Sequence, residues 1–135
     1  MNEEKKPVIV VADDDRDICE LIKLQLSRNG FDVFITDNGQ TAIDLIVEHE
    51  PAIALLDIMM PKLSGLEVAR QIRGNPKLAT VSIMLISARS SGRIESDLDD
   101  IGISDYISKP FSPQELVQRI NEVIKSKSDN EPKQS

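Results

Sequence analysis

The chain has 135 residues, a length that suits one domain, and 40 % of them are hydrophobic, enough for a single core. It carries 23 acidic and 16 basic residues for a net charge of −7, and 3 % of it is aromatic with no Trp. An acidic chain without stacking side chains argues against direct nucleic-acid binding. One Cys and one His exclude an internal disulfide and any multi-Cys or His-rich metal site.

The longest apolar run, Val8–Ala12, is far short of the roughly 20 residues that span a bilayer. The start, Met-Asn-Glu-Glu-Lys-Lys-Pro, lacks the apolar core of a signal peptide. The expectation is a soluble cytoplasmic protein with no membrane partner.

In chain order, residues 1–6 are polar and are expected to form a disordered extension, followed by a folded domain over 7–125. The first strand is Val8–Ala12. Ile18, Leu21, Ile22 and Leu26 then share a helix face that ends at Asn29-Gly30. A second strand covers 31–36, and Asn38-Gly39 opens a helix carrying Ala42, Ile43, Leu45 and Ile46. A third strand covers 52–56. Ser64-Gly65 opens a third helix with Leu66, Ala69 and Ile72. A fourth strand covers 81–86. Ile94, Leu98 and Ile101 suit a fourth helix closed by Gly102. A weaker fifth strand lies at 106–107. Ser112 then caps a fifth helix, with Pro113 at its first position, Glu115 at its third, and Leu116, Ile120, Val123 and Ile124 on its face. Residues 126–135 contain no apolar side chain, so nothing offsets their ordering entropy and a disordered polar tail is expected.

Five strand–helix units define an α/β protein, with helices on both faces of a five-stranded parallel sheet. Sites in such sheets lie at the carboxyl ends of the strands. Asp13, Asp14 and Asp15 follow the first strand. Asp57 ends the third, Ser87 ends the fourth, and Lys109-Pro110 follows the fifth. Clustered carboxylates repel one another and raise at least one pKa, a conflict that a hard cation such as Mg²⁺ resolves with oxygen ligands. The simpler reading, helix capping, suits Asp15 and Asp17 but leaves Asp57 unexplained. Asp57 is a ligand, a nucleophile or both. The Lys109-Pro110 bond is a candidate cis peptide that would aim the Lys109 side chain.

Five segments together resemble the response-regulator receiver domain of bacterial two-component signalling, chiefly its single-domain, chemotaxis-type members. They are Val-Ala-Asp-Asp-Asp-Arg-Asp-Ile at 11–18, Leu-Leu-Asp-Ile-Met-Met-Pro at 55–61, Ser-Gly-Leu-Glu at 64–67, Ile-Ser-Ala-Arg at 86–89, and Asp-Tyr-Ile-Ser-Lys-Pro-Phe at 105–111. The resemblance implies strand order 2-1-3-4-5 in a flavodoxin-like fold. It implies that Asp57 accepts a phosphoryl group from a phosphohistidine of a sensor histidine kinase or histidine phosphotransfer protein. Mg²⁺, with Mn²⁺ as the substitute, would be held by Asp14 directly, by Asp13 through water, by Asp57, and by the Met59 backbone carbonyl. Lys109 and Ser87 would contact the phosphoryl oxygens, and Ser87 and Tyr106 would form the switch. Met59 and Arg89 would tune loss of the phosphoryl group. The resemblance makes the chain a signalling module that catalyses only its own phosphorylation and dephosphorylation. Output would be docking of a downstream protein at the fourth-helix, fifth-strand and fifth-helix face, about 92–125, by a monomer or by a dimer formed on phosphorylation.

Several positions depart from the family pattern. Ser87 stands where Thr is also common, Arg16 where Pro is frequent, and Ser64 where Asp is common. Ile103-Ser104 replaces a typical Ala-Asp on the output face. A role as relay intermediate or phosphate sink stays open. A Mg²⁺-dependent phosphatase of the haloacid dehalogenase type is distant, because the Asp-x-Asp-x-Thr/Val pattern is not met and no cap is inserted. An FMN carrier would need a glycine- and hydroxyl-rich loop where three aspartates stand. Cys19 reads as a packing residue and His49 as a helix-end residue.

Overall fold

The computed structural model describes residues 6–60, 63–87 and 101–130. Five strands, β1 (Val8–Ala12), β2 (Asp32–Thr36), β3 (Ile53–Asp57), β4 (Ser82–Ser87) and β5 (Asp105–Ser108), form one sheet in the order β2-β1-β3-β4-β5. Every pairing is parallel. Four α-helices lie among the described residues: α1 (Arg16–Arg28), α2 (Gly39–His49), α3 (Gly65–Arg73) and α4 (Pro113–Asn130). A 3-10 turn at Pro76–Leu78 precedes β4. The fourth helix expected on Ile94, Leu98 and Ile101 falls outside the described residues except for Ile101, which is buried.

The apolar runs become strands because both faces of the sheet are covered. All five residues of β3 are buried. Side chains alternate along β1. Ile9 and Val11 join Ile22 and Leu26 of α1 and Leu116 and Ile120 of α4 in one core. Val10 and Ala12 join Ala42 and Ile46 of α2 and Val68, Ala69 and Ile72 of α3 in the other.

The helix starts are fixed locally. The Asp15 carboxylate accepts the Asp17 and Ile18 N–H groups at 3.0 and 3.3 Å. Asn38 accepts Thr41 N–H at 2.9 Å. Ser64 and Glu67 form a reciprocal capping box. At α4 the Glu115 N–H bonds Ser112 Oγ, while the Glu115 carboxylate lies 3.5 Å from Arg119 Nε, one turn on.

Two expectations change. Leu21 is 42 % exposed, since one helical step of about 100° carries it off the face that buries Ile22. The last helix extends to Asn130, five residues beyond the expected domain limit at 125. Apolar burial does not hold this end. Lys127 Nζ donates instead to the Ala52 and Thr80 carbonyls, at 3.1 and 2.6 Å. Arg73, in the last turn of α3, acts similarly by donating to the Val81, Ile101 and Gly102 carbonyls. No helix among the described residues is long and apolar enough to cross a membrane.

Replacing Lys127 by Met keeps the stem and removes the donor. Urea unfolding should show a loss of about 1–3 kcal/mol, since two hydrogen bonds from a charged donor to partly exposed carbonyls are removed, with an unchanged m-value.

Candidate functional site

Parallel pairing brings the carboxyl ends of β1, β3, β4 and β5 to one edge. Asp13 lies one residue beyond β1, and its N–H donates to Thr36 O at 3.1 Å. Its side chain is fully buried, with Oδ1 accepting Asp15 N–H at 2.9 Å. Asp57 is the last residue of β3 and 3 % exposed, and its Oδ1 accepts Met59 N–H at 3.0 Å. Ser87 ends β4, is buried, and stands in register with Ser108 of β5. That register lets Lys109 N–H donate to Ser87 O at 2.7 Å, which places the Lys109 side chain beside the acidic residues. The Lys109–Pro110 peptide bond is cis.

Lys109 joins the two buried carboxylates. Its Nζ lies 3.2 Å from Asp57 Oδ2 and 3.1 Å from Asp13 Oδ2. The second approach is a charge contact. Asp13 Oδ2 is buried and accepts no hydrogen bond of regular geometry, whereas Oδ1 of the same carboxylate takes one from Nζ at 3.4 Å. Asp14 is exposed at the mouth. One oxygen each from Asp13, Asp14 and Asp57 lies within 4.8 Å of the others.

Three carboxylates therefore face one ammonium. Burial pushes the Asp57 carboxyl up to about 6, and the Asp13 charge pushes the same way, against Met59 N–H and Lys109. Burial disfavours the Lys109 ammonium, but its bond to Asp13 and the Asp13 and Asp57 charges outweigh that and raise its pKa. The all-oxygen donor set, its spacing and the underused Asp13 Oδ2 fit a hard divalent cation. Asp13, Asp14 and Asp57 are the side chains that would hold it.

The other expected residues sit around this core. The Met59 side chain is 69 % exposed beside Asp57. Tyr106 is half-buried on β5, in register with Leu85 and packed on the α2/α3-side core. Arg89 and residues 92–100 of the expected docking face lie outside the described residues, whereas 101–125 of that face are described. The Lys109–Asp13 contact was not anticipated from sequence. Nor was the role of Cys19, whose Sγ–H donates to Asp13 O at 3.2 Å. Burial, with Asp13 adding to it, raises that thiol to about 11, so it stays a protonated donor. His49 stacks on Phe34, with ring centroids 4.0 Å apart.

Five parallel strands in the order β2-β1-β3-β4-β5 make this a flavodoxin-like α/β fold, with the acidic residues at its carboxyl edge. The family follows from a direct match. Residues 9–121 fit the model of the response regulator receiver domain, and the chain belongs to that family of two-component signalling modules. It is 32 % identical to the receiver domain of Francisella response regulator 1452, covering 89 % of this chain and 98 % of that one with a TM-score of 0.80. The chemotaxis response regulator CheY4 of Vibrio cholerae superposes with a TM-score of 0.83 at 19 % identity, over 88 % of this chain and 99 % of that one. The receiver domain of a signal transduction histidine kinase from Syntrophus aciditrophicus gives 0.80 at 23 % identity, over 96 % of each chain. The last two show the shared fold.

The raised Asp57 pKa sets a sign for stability. Its folded value of about 6 exceeds the ordinary 3.8, so the folded state binds the proton more tightly. The resulting penalty is full above pH 6 and fades as pH falls toward 4. In chelator, Asp57→Asn should stabilise the domain at pH 7 by on the order of 1–3 kcal/mol, at about 1.4 kcal/mol per pKa unit. That advantage should shrink toward pH 4 in parallel urea titrations.

Proposed function

We propose that this receiver domain is a phosphoacceptor switch, with Asp57 the accepting residue. The observation that carries the reading is a buried carboxylate held between Met59 N–H and Lys109 Nζ, next to a second buried carboxylate. With a pKa of about 6, Asp57 is mainly ionised at neutral pH and able to attack. An Asp57 oxygen forms the new O–P bond as the P–N bond of a donor phosphohistidine breaks, and the imidazole departs with that electron pair. A bound Mg²⁺ supplies charge neutralisation for the phosphoryl oxygens.

This chain's own groups do the positioning. Met59 N–H fixes one Asp57 oxygen and so orients the carboxylate. Lys109, already at the Asp57 oxygen, donates to the product phosphoryl group, which brings up to about two negative charges and three acceptor oxygens. The Ser87 hydroxyl, at the end of the adjacent strand, bonds a second oxygen. Its displacement opens space beside β4 into which Tyr106 turns. The change is read on the face that includes β5 and α4, where a downstream protein docks. The donor is a histidine kinase or histidine phosphotransfer protein, the setting is the cytoplasm, and the domain turns over no other substrate.

Intact mass after incubation with Mg²⁺ and acetyl phosphate should show one added phosphoryl group in wild type and none in Asp57→Asn or in excess chelator. Labelling retained in Asp57→Asn would move the acceptor elsewhere. Tyr106 is the single tyrosine and there is no Trp, so intrinsic emission reports on the switch alone. Lys109→Ala should still take up some phosphoryl group yet lose the emission change seen in wild type. A wild-type response in that variant would reduce Lys109 to a solvated charge.

A further inference from the structure

The corner between Asp57 and α3 is closed by two glycines. A Cβ on Gly65, the first residue of α3, would collide with the Asp57 carbonyl oxygen and lie 2.8 Å from the Asp57 carbonyl carbon. Gly65 N–H also donates to Ile58 O at 3.2 Å. The α3 terminus is thus pressed against the acceptor's own peptide unit. The second glycine belongs to a different helix. A Cβ on Gly39, the first residue of α2, would collide with the Leu63 carbonyl oxygen, sit 2.7 Å from Leu63 Cβ and sit 3.0 Å from Val68 Cγ2. The two nearest obstacles are a main-chain atom and a Cβ, which cannot swing away as the end of a long side chain can.

Leu63 is anchored on its C-terminal side. The next residue, Ser64, is locked by the capping box, with its N–H on Glu67 Oε1 at 3.0 Å and its Oγ accepting Glu67 N–H at 3.2 Å. Beyond Ser64 comes Gly65, seated on Asp57. A displacement of Leu63 is therefore passed to the Gly65–Asp57 contact and to the turn in which Met59 N–H holds Asp57 Oδ1. Asn38, whose side chain caps α2 at Thr41, holds Gly39 in place from the other side.

We infer that Gly39 is a positioning residue for the phosphoacceptor, acting through Leu63 and Gly65 from a helix that contributes no group to the site. The inference rests on the proposed receiver chemistry and adds α2 to the parts that set it. Gly39→Ala should lower cation affinity and acceptor reactivity beyond what its loss of stability explains.

The test measures Mg²⁺ affinity by calorimetry, acetyl-phosphate labelling by intact mass, and urea stability on the full chain. Gly39→Ala should weaken Mg²⁺ binding about tenfold, the scale on which supporting groups around a metal site act, and slow labelling. Gly30→Ala is the control. Gly30 has φ +90° and open space around it, so that variant loses stability through backbone strain far from the site while Mg²⁺ affinity stays within about twofold, since strain there changes no ligand. If Gly39→Ala does not fold, Leu63→Gly removes the Cβ that packs on Gly39 without adding bulk, and it should weaken Mg²⁺ binding in the same direction. Wild-type Mg²⁺ affinity in folded Gly39→Ala, or failing that in Leu63→Gly, overturns the inference. A wild-type protein that binds no Mg²⁺ and takes no phosphoryl group overturns the proposed function instead, so the two failures are distinct.

Discussion

Two carboxylates buried side by side, with one ammonium between them, are the constraint around which this molecule is arranged. Asp13 and Asp57 lose hydration and repel each other, and Lys109 offsets only part of that cost. Such a cluster persists only if the surrounding fold holds it. Here the fold does so with main-chain bonds. Asp13 N–H is tied to β2, Ile58 N–H to Ile86 of β4, and Lys109 N–H to Ser87. Every strand end that carries a charged group is thereby fixed by a neighbouring strand before the side chains meet.

The other edge of the sheet inverts this arrangement. There the helices end, and the partners are carbonyl groups. Arg73 and Lys127 donate to five of them in the residues that precede β3, β4 and β5. One edge gathers anionic oxygens short of donors, and the other supplies cationic donors to neutral oxygens.

The strands were legible because their apolar runs are continuous, and the order of site residues along the chain was legible because the sites fall at strand ends. The pairing of those residues was less so. Lys109 and Asp13 are separated by 96 positions, and they meet through the Ser87–Ser108 register, which no local pattern records. Leu21 and Ile22 are adjacent aliphatic side chains, and hydrophobicity alone does not say which of them faces the sheet. The end of α4 at Asn130 is hidden from the sequence for a different reason. Residues beyond 125 have no apolar side chain to read, and their helix is held by an ammonium reaching back to backbone oxygens. The glycines at 39 and 65 were visible as helix openers, but the close approach that requires them appears only once α2, α3 and β3 are assembled.

Cys19 has a practical consequence. It is the chain's single cysteine, it is 2 % exposed, and its thiol is held protonated by burial and the Asp13 charge, at about 11. Alkylating reagents act on accessible thiolates, so the native domain is nearly blind to them. A cysteine introduced on its surface becomes the one reactive thiol, and a spin or dye label can be placed on α2, α3 or α4 without first removing the natural residue that bonds Asp13.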